Sequence, residues 1–240
     1  MSVYRNILSS VPPAPIVCYD ITNRNSYPTS GTVVTDIFKS SNASLVGGPI
    51  YSAFTSGSLY FDGVDDYLIT STGLSSKFAG SSPTKSEVTS IFMWVYPMDN
   101  GVILSEQGTS ILNGGWFDSQ IEMISGTIGF GMWNGTAISA FPSSISTPIN
   151  NWYYIGMVYN GSTLTGYING LSAGSITFNR SAPYNNGSEL HYAIAGTTVT
   201  NMGDGSYAKM YLGRFEVFNY ALTQSQINYN YNITKSLYGL

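Results

Sequence analysis

Asn-Gly pairs set between short apolar runs are the feature that most restricts what this chain can fold into. Residues 152–159 are followed by Asn160-Gly161, then by 163–168, then by Asn169-Gly170, then by 171–178. An Asn-Gly pair tolerates the positive φ values of tight type I′ hairpin turns, and the runs between have the length and the β-branched or aromatic content of strands. The pattern predicts a three-stranded antiparallel meander. Asn134-Gly135 predicts a further reversal, from 128–133 to a return strand over 138–141. Similar runs lie at 59–61, 67–70, 90–96, 102–105, 121–124, 190–195 and 207–218. No long amphipathic helix alternates with them, which disfavours a doubly wound α/β fold and makes all-β the expected class.

Gly and Ser punctuate the chain evenly, so no linker is marked and residues 1–240 read as one domain with 1–15 as an N-terminal arm. The first fifty residues are the least regular. They are expected to run along an edge of the sandwich and pack through Ile16, Val17 and Tyr19. One helix start is specific. Thr223 is placed to cap the N-terminus, Gln226 three residues on can return the bond, and Leu222 with Ile227 can form a hydrophobic staple. A short helix from about Gln224 to Ile233 is expected.

Charge excludes several functions. Charged residues are 9% of the chain, against roughly 25% in ordinary soluble domains. Nine Lys and Arg face 13 Asp and Glu, with no basic run, so a nucleic-acid partner lacks its electrostatic source. No apolar run reaches the roughly 20 residues of a membrane span, and the N-terminus has no run of signal-peptide length, so Sec-type export is not expected. The single cysteine, Cys18, cannot form an internal disulfide and reads as a small core hydrophobe. A surface polar mainly through hydroxyls and amides suits neutral partners such as glycans, and it equally suits a subunit packed on its neighbours.

The stretch SLYFDGVDDYLIT, residues 58–70, resembles the early strand of laminin-G-like jelly rolls in the concanavalin A-like lectin and glucanase superfamily. SIFMWVYP with GVILSEQG is similar to that family's next strand and hairpin, NWYYIGMVYNGSTLTGYING to its central meander, and YLGRFEVFNYALTQSQI to its closing strand and helix. The resemblance implies an antiparallel two-sheet jelly-roll sandwich with a short C-terminal helix. The segment YDITNRNSYPTSGTVVTDI and the tail SLYGL more particularly resemble the variant in structural proteins of tailed phages and large DNA viruses.

Candidate site residues are few. Trp116 stands in the glycine-rich stretch Asn113-Gly114-Gly115-Trp116-Phe117-Asp118, and Trp133 stands beside Asn134-Gly135. Trp rings stack on sugars while Asp118 and Asn134 can fix hydroxyls, so Trp116, Asp118, Trp133 and Asn134 are the candidate ligand-binding set; for both tryptophans the alternative is anchoring of their own loops. Trp94 and Trp152 sit inside strands and read as core. Asp62, Asp65 and Asp66 cluster three carboxylates that either coordinate a hard cation such as calcium or stay solvated in a turn. No other cofactor is implied.

Catalysis finds little support. None of the five glutamates has another acidic residue within the next five positions, as the glucanase Glu-x-Asp-x-x-Glu pattern requires, although carboxylates from distant strands could still converge. The sole histidine, His191, reads as a structural strand residue. The leading expectation is a non-enzymatic virion-surface decoration protein. It would be a jelly-roll subunit, open to homo-oligomerisation, that contacts other virion structural proteins and binds host cell-surface glycans. A free carbohydrate-binding lectin module is the alternative, and a glycoside hydrolase ranks third.

Overall fold

The computed structural model of the chain describes residues 10–78, 88–133, 138–177, 189–196, 202 and 207–240. Six strands come first: β1 (Val17–Asp20), β2 (Val33–Val34), β3 (Ala43–Val46), β4 (Ile50–Ser52), β5 (Ser58–Asp62) and β6 (Tyr67–Thr70). The middle of the chain forms β7 (Thr89–Pro97), β8 (Gly101–Gln107), β9 (Phe117–Ile124), β10 (Thr127–Trp133) and β11 (Ile138–Pro142). Then follow β12 (Tyr153–Tyr159), β13 (Thr163–Ile168), β14 (Leu171–Thr177), β15 (His191–Ile194), β16 (Lys209–Phe218) and the helix α1 (Gln224–Thr234). Two antiparallel eight-stranded sheets result. The first runs β14-β13-β12-β7-β16-β5-β4 with β1 also paired to β16, and the second runs β11-β10-β9-β8-β15-β6-β3-β2. This is the expected jelly-roll sandwich with a short C-terminal helix.

The turns differ in detail from the Asn-Gly rule. Asn169 and Gly170 carry φ values of 51° and 81°, the signature of the anticipated type I′ turn. At Asn160-Gly161 only the glycine has positive φ, and β12 and β13 are joined by three residues. There the Asn160 side chain accepts the backbone N–H groups of Ser162 at 3.0 Å and Thr163 at 2.9 Å, so it caps the loop as an Asx turn. The tight turn between β9 and β10 is made by Ser125 and Gly126, at φ 49° and 78°. Asn134-Gly135 lies outside the described residues, but its anticipated return strand is present as β11.

Between the sheets, alternate residues of each strand form one apolar cluster that includes Val17, Tyr19, Ile91, Met93, Phe130, Ile155, Tyr192 and Phe215. Val17 and Tyr19 are fully buried and Ile16 packs partly on that cluster, as expected of the N-terminal segment. β1 pairs with the second half of β16 while β5 pairs with the first half. The free edge of β1 is closed by Asp36, whose Oδ1 accepts the Cys18 N–H at 2.8 Å.

Trp94 and Trp152 are buried, yet not between the sheets. With Phe92, Tyr154, Phe218, Leu222, Ile227 and Tyr238 they form a second cluster on the outer face of the first sheet, under α1. The capping box predicted at Thr223 and Gln226 is formed in both directions, and Leu222 and Ile227 are buried beneath the helix. The Trp94 ring is sandwiched between Tyr238 at 4.3 Å and Tyr231 at 5.9 Å, and its indole N–H donates to Thr234 Oγ1 at 2.9 Å. β16 is bulged between Leu212 and Arg214, and a Cβ on Gly213 would run into the ring of Tyr238. Glycine is therefore required for the chain end to lie flat on the sheet.

Three consequences are measurable. Tyr238→Ala, which uncovers Trp94 and Trp152, is expected to cost about 3 kcal/mol or more in urea denaturation. Tyr238→Phe removes a buried hydroxyl with no hydrogen-bond partner and is expected to be neutral or to gain roughly 1 kcal/mol. Burial, then the charge of Glu216, pushes the thiol of Cys18 far up, so this fully buried side chain is expected to resist aromatic disulfide reagents until denaturant unfolds the protein.

Candidate functional site

Trp116, Asp118 and Trp133 lie on or beside two adjoining strands of the second sheet. Trp116 directly precedes β9 and is half-buried, its ring packed partly on the inter-sheet cluster. Trp133 ends β10, at the same end of the strand pair, and is also half-buried. Asp118 joins them. Its carboxylate is buried on β9, and Oδ2 accepts the Trp133 N–H at 2.9 Å. A carboxylate so engaged positions the strand end that carries the ring. Asn134 lies outside the described residues.

Residues not singled out by the sequence surround Asp118. Ser105, Glu106 and Gln107 on β8, Asp118, Ser119, Gln120 and Glu122 on β9, and His191 on β15 are all at most 5% exposed. Buried polar side chains are retained only where hydrogen bonds compensate for lost water. A relay does so here: the Asn113 N–H donates to Gln107 Oε1 at 2.9 Å, Gln107 Nε2 to Ser105 Oγ at 2.8 Å, and Ser105 Oγ to the Gly196 carbonyl at 3.0 Å. That relay fixes the glycine-rich loop before Trp116. Ser119 Oγ donates to Glu122, which also accepts the Met202 N–H at 3.3 Å. The Gln120 amide has no hydrogen-bond partner among the described residues. His191 Nδ1 lies 2.7 Å from the Thr70 carbonyl, which can only accept, so Nδ1 carries the proton and the ring ties β15 to β6. The visible signal for this row was polar triplets, Ser-Glu-Gln and Asp-Ser-Gln, inside segments otherwise of strand character.

At the other end of β9 and β10 lies an open cleft of about 480 Å³. Ile124, Pro142 and Met202 wall it, Ser125 and Thr127 edge it, and Gly129 forms its floor, while Phe141 of β11 borders it with its ring turned to Phe130 and the inter-sheet cluster. Phe130 and Met132 point into the inter-sheet core, so Gly129 and Gly131 face outward between them. A Cβ on Gly129 would come within 3.1 Å of the Met202 sulfur, and one on Gly131 within 3.3 Å. The strand is thus stripped of side chains where Met202 lies on it. Glu106 and Asp118 are directly opposite each other in register, yet no carboxylate lines this cleft among the described residues.

The three carboxylates of the turn after β5 do converge, with oxygens of Asp62, Asp65 and Asp66 within 4.8 Å of one another. Two of these oxygens serve the turn itself: Asp62 Oδ1 accepts the Val64 N–H at 2.8 Å and Asp66 Oδ2 accepts the Asp62 N–H at 3.0 Å. The remaining oxygens have the hard-donor chemistry that calcium prefers. Burial first, then the charges of Asp62 and Asp65, raise the Asp66 carboxyl above its ordinary value, while the Asp62 N–H opposes them. A carboxyl raised on folding destabilises the folded state once pH exceeds its folded value, and the penalty vanishes below the unfolded value. Asp66→Asn, which keeps an acceptor for the Asp62 N–H, is therefore expected to raise the melting temperature at pH 7 and to leave it unchanged near pH 3; melting curves at both values check this.

A family model described as the concanavalin A-like lectin/glucanases superfamily matches residues 62–228. No curated protein sequence matches the chain. Among solved structures, a botulinum neurotoxin type C that depends on interaction with two ganglioside molecules to enter cells superposes with a TM-score of 0.64, at 16% identity, over 93% of this chain and 51% of that one. The binding domain of botulinum neurotoxin DC in complex with rat synaptotagmin II gives 0.62, 15% identity, and 93% and 52% coverage. The binding domain of Paraclostridial Mosquitocidal Protein 1 gives 0.64, 16% identity, and 92% and 52% coverage. The chain spans about half the length of each, and at such identities the likeness is one of fold. With the family match running from the end of β5 into α1, the chain belongs to the Laminin_G_3 family of the concanavalin A-like lectin/glucanases superfamily.

Proposed function

We propose that this sandwich is a non-enzymatic recognition module that binds glycans through the outer face of its second sheet. The observation that carries the reading is the cleft over β10 and β11. A volume of about 480 Å³ suits a small ligand, and Ile124, Pro142 and Met202 offer apolar surfaces against which one face of a sugar ring can lie. Ser125 and Thr127 stand at its edge to meet hydroxyls. Trp133 and Trp116, at the far end of the same strands, extend the reading to a longer glycan. The similar solved domains support it, since one belongs to a toxin that depends on gangliosides and another is complexed with a synaptotagmin.

The setting we propose is the surface of a virion, where the module decorates a capsid or tail beside other structural proteins. Support comes from the resemblance of residues 19–37 and 236–240 to phage and large-virus structural proteins, and from a surface that has few charges to desolvate. Ile111 and Val64 at 69% exposure and Leu171 at 64% are apolar side chains that neighbouring subunits could cover.

A glycan array probed with the intact protein is expected to give hits that Gly129→Val, which fills the floor of the cleft, weakens about tenfold or more. Trp116→Ala is expected to weaken binding of the longer glycans. A blank array with folded protein would overturn the glycan reading and leave a purely structural role. Sedimentation with particles from the protein's source tests the setting: a protein that stays monomeric and never cosediments would refute the virion assignment.

A further inference from the structure

A second cleft, of about 570 Å³, lies on the N-terminal segment, lined by Arg24, Tyr27, Thr29, Ser30, Ile50 and Tyr51 among others. It is built by local bonds. Tyr27 is 2% exposed and its hydroxyl donates to the Gly31 carbonyl at 2.9 Å, which closes residues 27–31 into a compact loop. Within that loop Thr29 is held at φ 81°, a left-handed conformation that a β-branched residue adopts only under constraint. The Arg24 guanidinium lies over the Tyr51 ring, 4.8 Å from its centroid, and Nη2 donates to the Tyr51 hydroxyl at 3.0 Å. Tyr51 in turn packs against Tyr27, ring centroids 6.4 Å apart.

The charge of Arg24 is unanswered. Among the described residues the ion pairs are those of Arg214 with Asp20 and Glu216, and Arg24 has none. In a chain with only nine Lys and Arg, a lone arginine held on a tyrosine is a single anchoring point and not part of a basic surface. Such an anchor suits a small ligand with one anionic group and not a polyanion. A planar guanidinium presents paired N–H donors that match a carboxylate, while Ser30, Thr29 and the Tyr51 hydroxyl are placed for neutral hydroxyls.

We propose that this cleft is a second glycan subsite, selective for a sugar bearing a carboxylate, with Arg24 gripping the carboxylate from its seat on Tyr51. The inference rests on the glycan-binding reading for the class of ligand, but it uses different residues in a different part of the fold. The test titrates the intact protein, by saturation-transfer NMR and calorimetry, with the methyl glycosides of sialic acid and glucuronic acid and with their methyl esters. At least one acid is expected to bind, its ester at least tenfold more weakly, and Arg24→Gln is expected to abolish the difference. Arg24→Lys, which keeps the charge but loses the paired donors, is expected to fall between. Arg24 is exposed, so its variants are expected to melt with the wild type. Equal binding of acid and ester, full binding by Arg24→Gln, or no binding of either acid by folded protein would each overturn the proposal. Gly129→Val separates the two readings: it leaves the acid titration unchanged if the subsite is real, whatever the array shows for the cleft on the second sheet.

Discussion

The outer face of the first sheet is organised around one half-buried guanidinium. Arg214 on β16 donates to Asp20 of β1 and to Glu216 on its own strand, each at 2.8 Å. Burial disfavours its charge, but the carboxylates of Glu216 and Asp20 outweigh that and hold it protonated. Taking such a triad out of water is costly unless every partner is in place, so its geometry discriminates between pairings of the chain more than it adds net stability. Asp20 is opposite Arg214 in the β1–β16 register, and any slip of β1 would strand a charge under the aromatic lid of Tyr238 and Tyr154. The first described strand and the last helix are thereby committed to the same sheet.

Much of this fold was legible because local chemistry and tertiary packing agreed. Thr223 and Gln226 announced the helix, Asn169-Gly170 formed the turn its residues favour, and the aromatic runs became β7, β12 and β16. The first fifty residues were less readable. β2 has two residues and β4 three, lengths at which periodicity carries no signal, and their pairing is set by contacts with β3 and β5. Trp94 and Trp152 were correctly read as core but belong to a layer that exists only because the helix folds over the sheet. A strand buried on both faces, as β7 is, shows no alternation from which that second layer could be inferred.

The candidate sites were less visible. The convergence of Asp62, Asp65 and Asp66 followed from their spacing, and the meeting of Asp118 with Trp133 followed from hairpin geometry. The cleft over β10 could not be anticipated, since it joins a β-turn at residue 125, a strand near 141 and a methionine at 202. The polar row on β8 and β9 was hidden for a different reason. Serine, glutamine and glutamate on a strand normally mark a solvated face, and their burial here depends in part on Met202 lying against β10. Arg24 carried no sequence signal at all, because one arginine among hydroxylated residues is unexceptional until the loop closed by Tyr27 sets it on Tyr51.

Glycine at 129 gives the cleft an adjustable depth. The position faces away from the inter-sheet core, so a side chain added there would shorten the cavity without reaching Phe130 behind it, meeting instead the Met202 sulfur at 3.1 Å and the tip of Ile124 at 3.3 Å. Met202, unbranched and able to change rotamer, can follow such a change. Gly131 has no such freedom, because a Cβ there would meet the fixed Cβ of Ala140 at 3.0 Å. Lineages descended from this sequence therefore have a route to new ligand preferences through position 129, where what is bound can diversify with little demand on the rest of the sandwich.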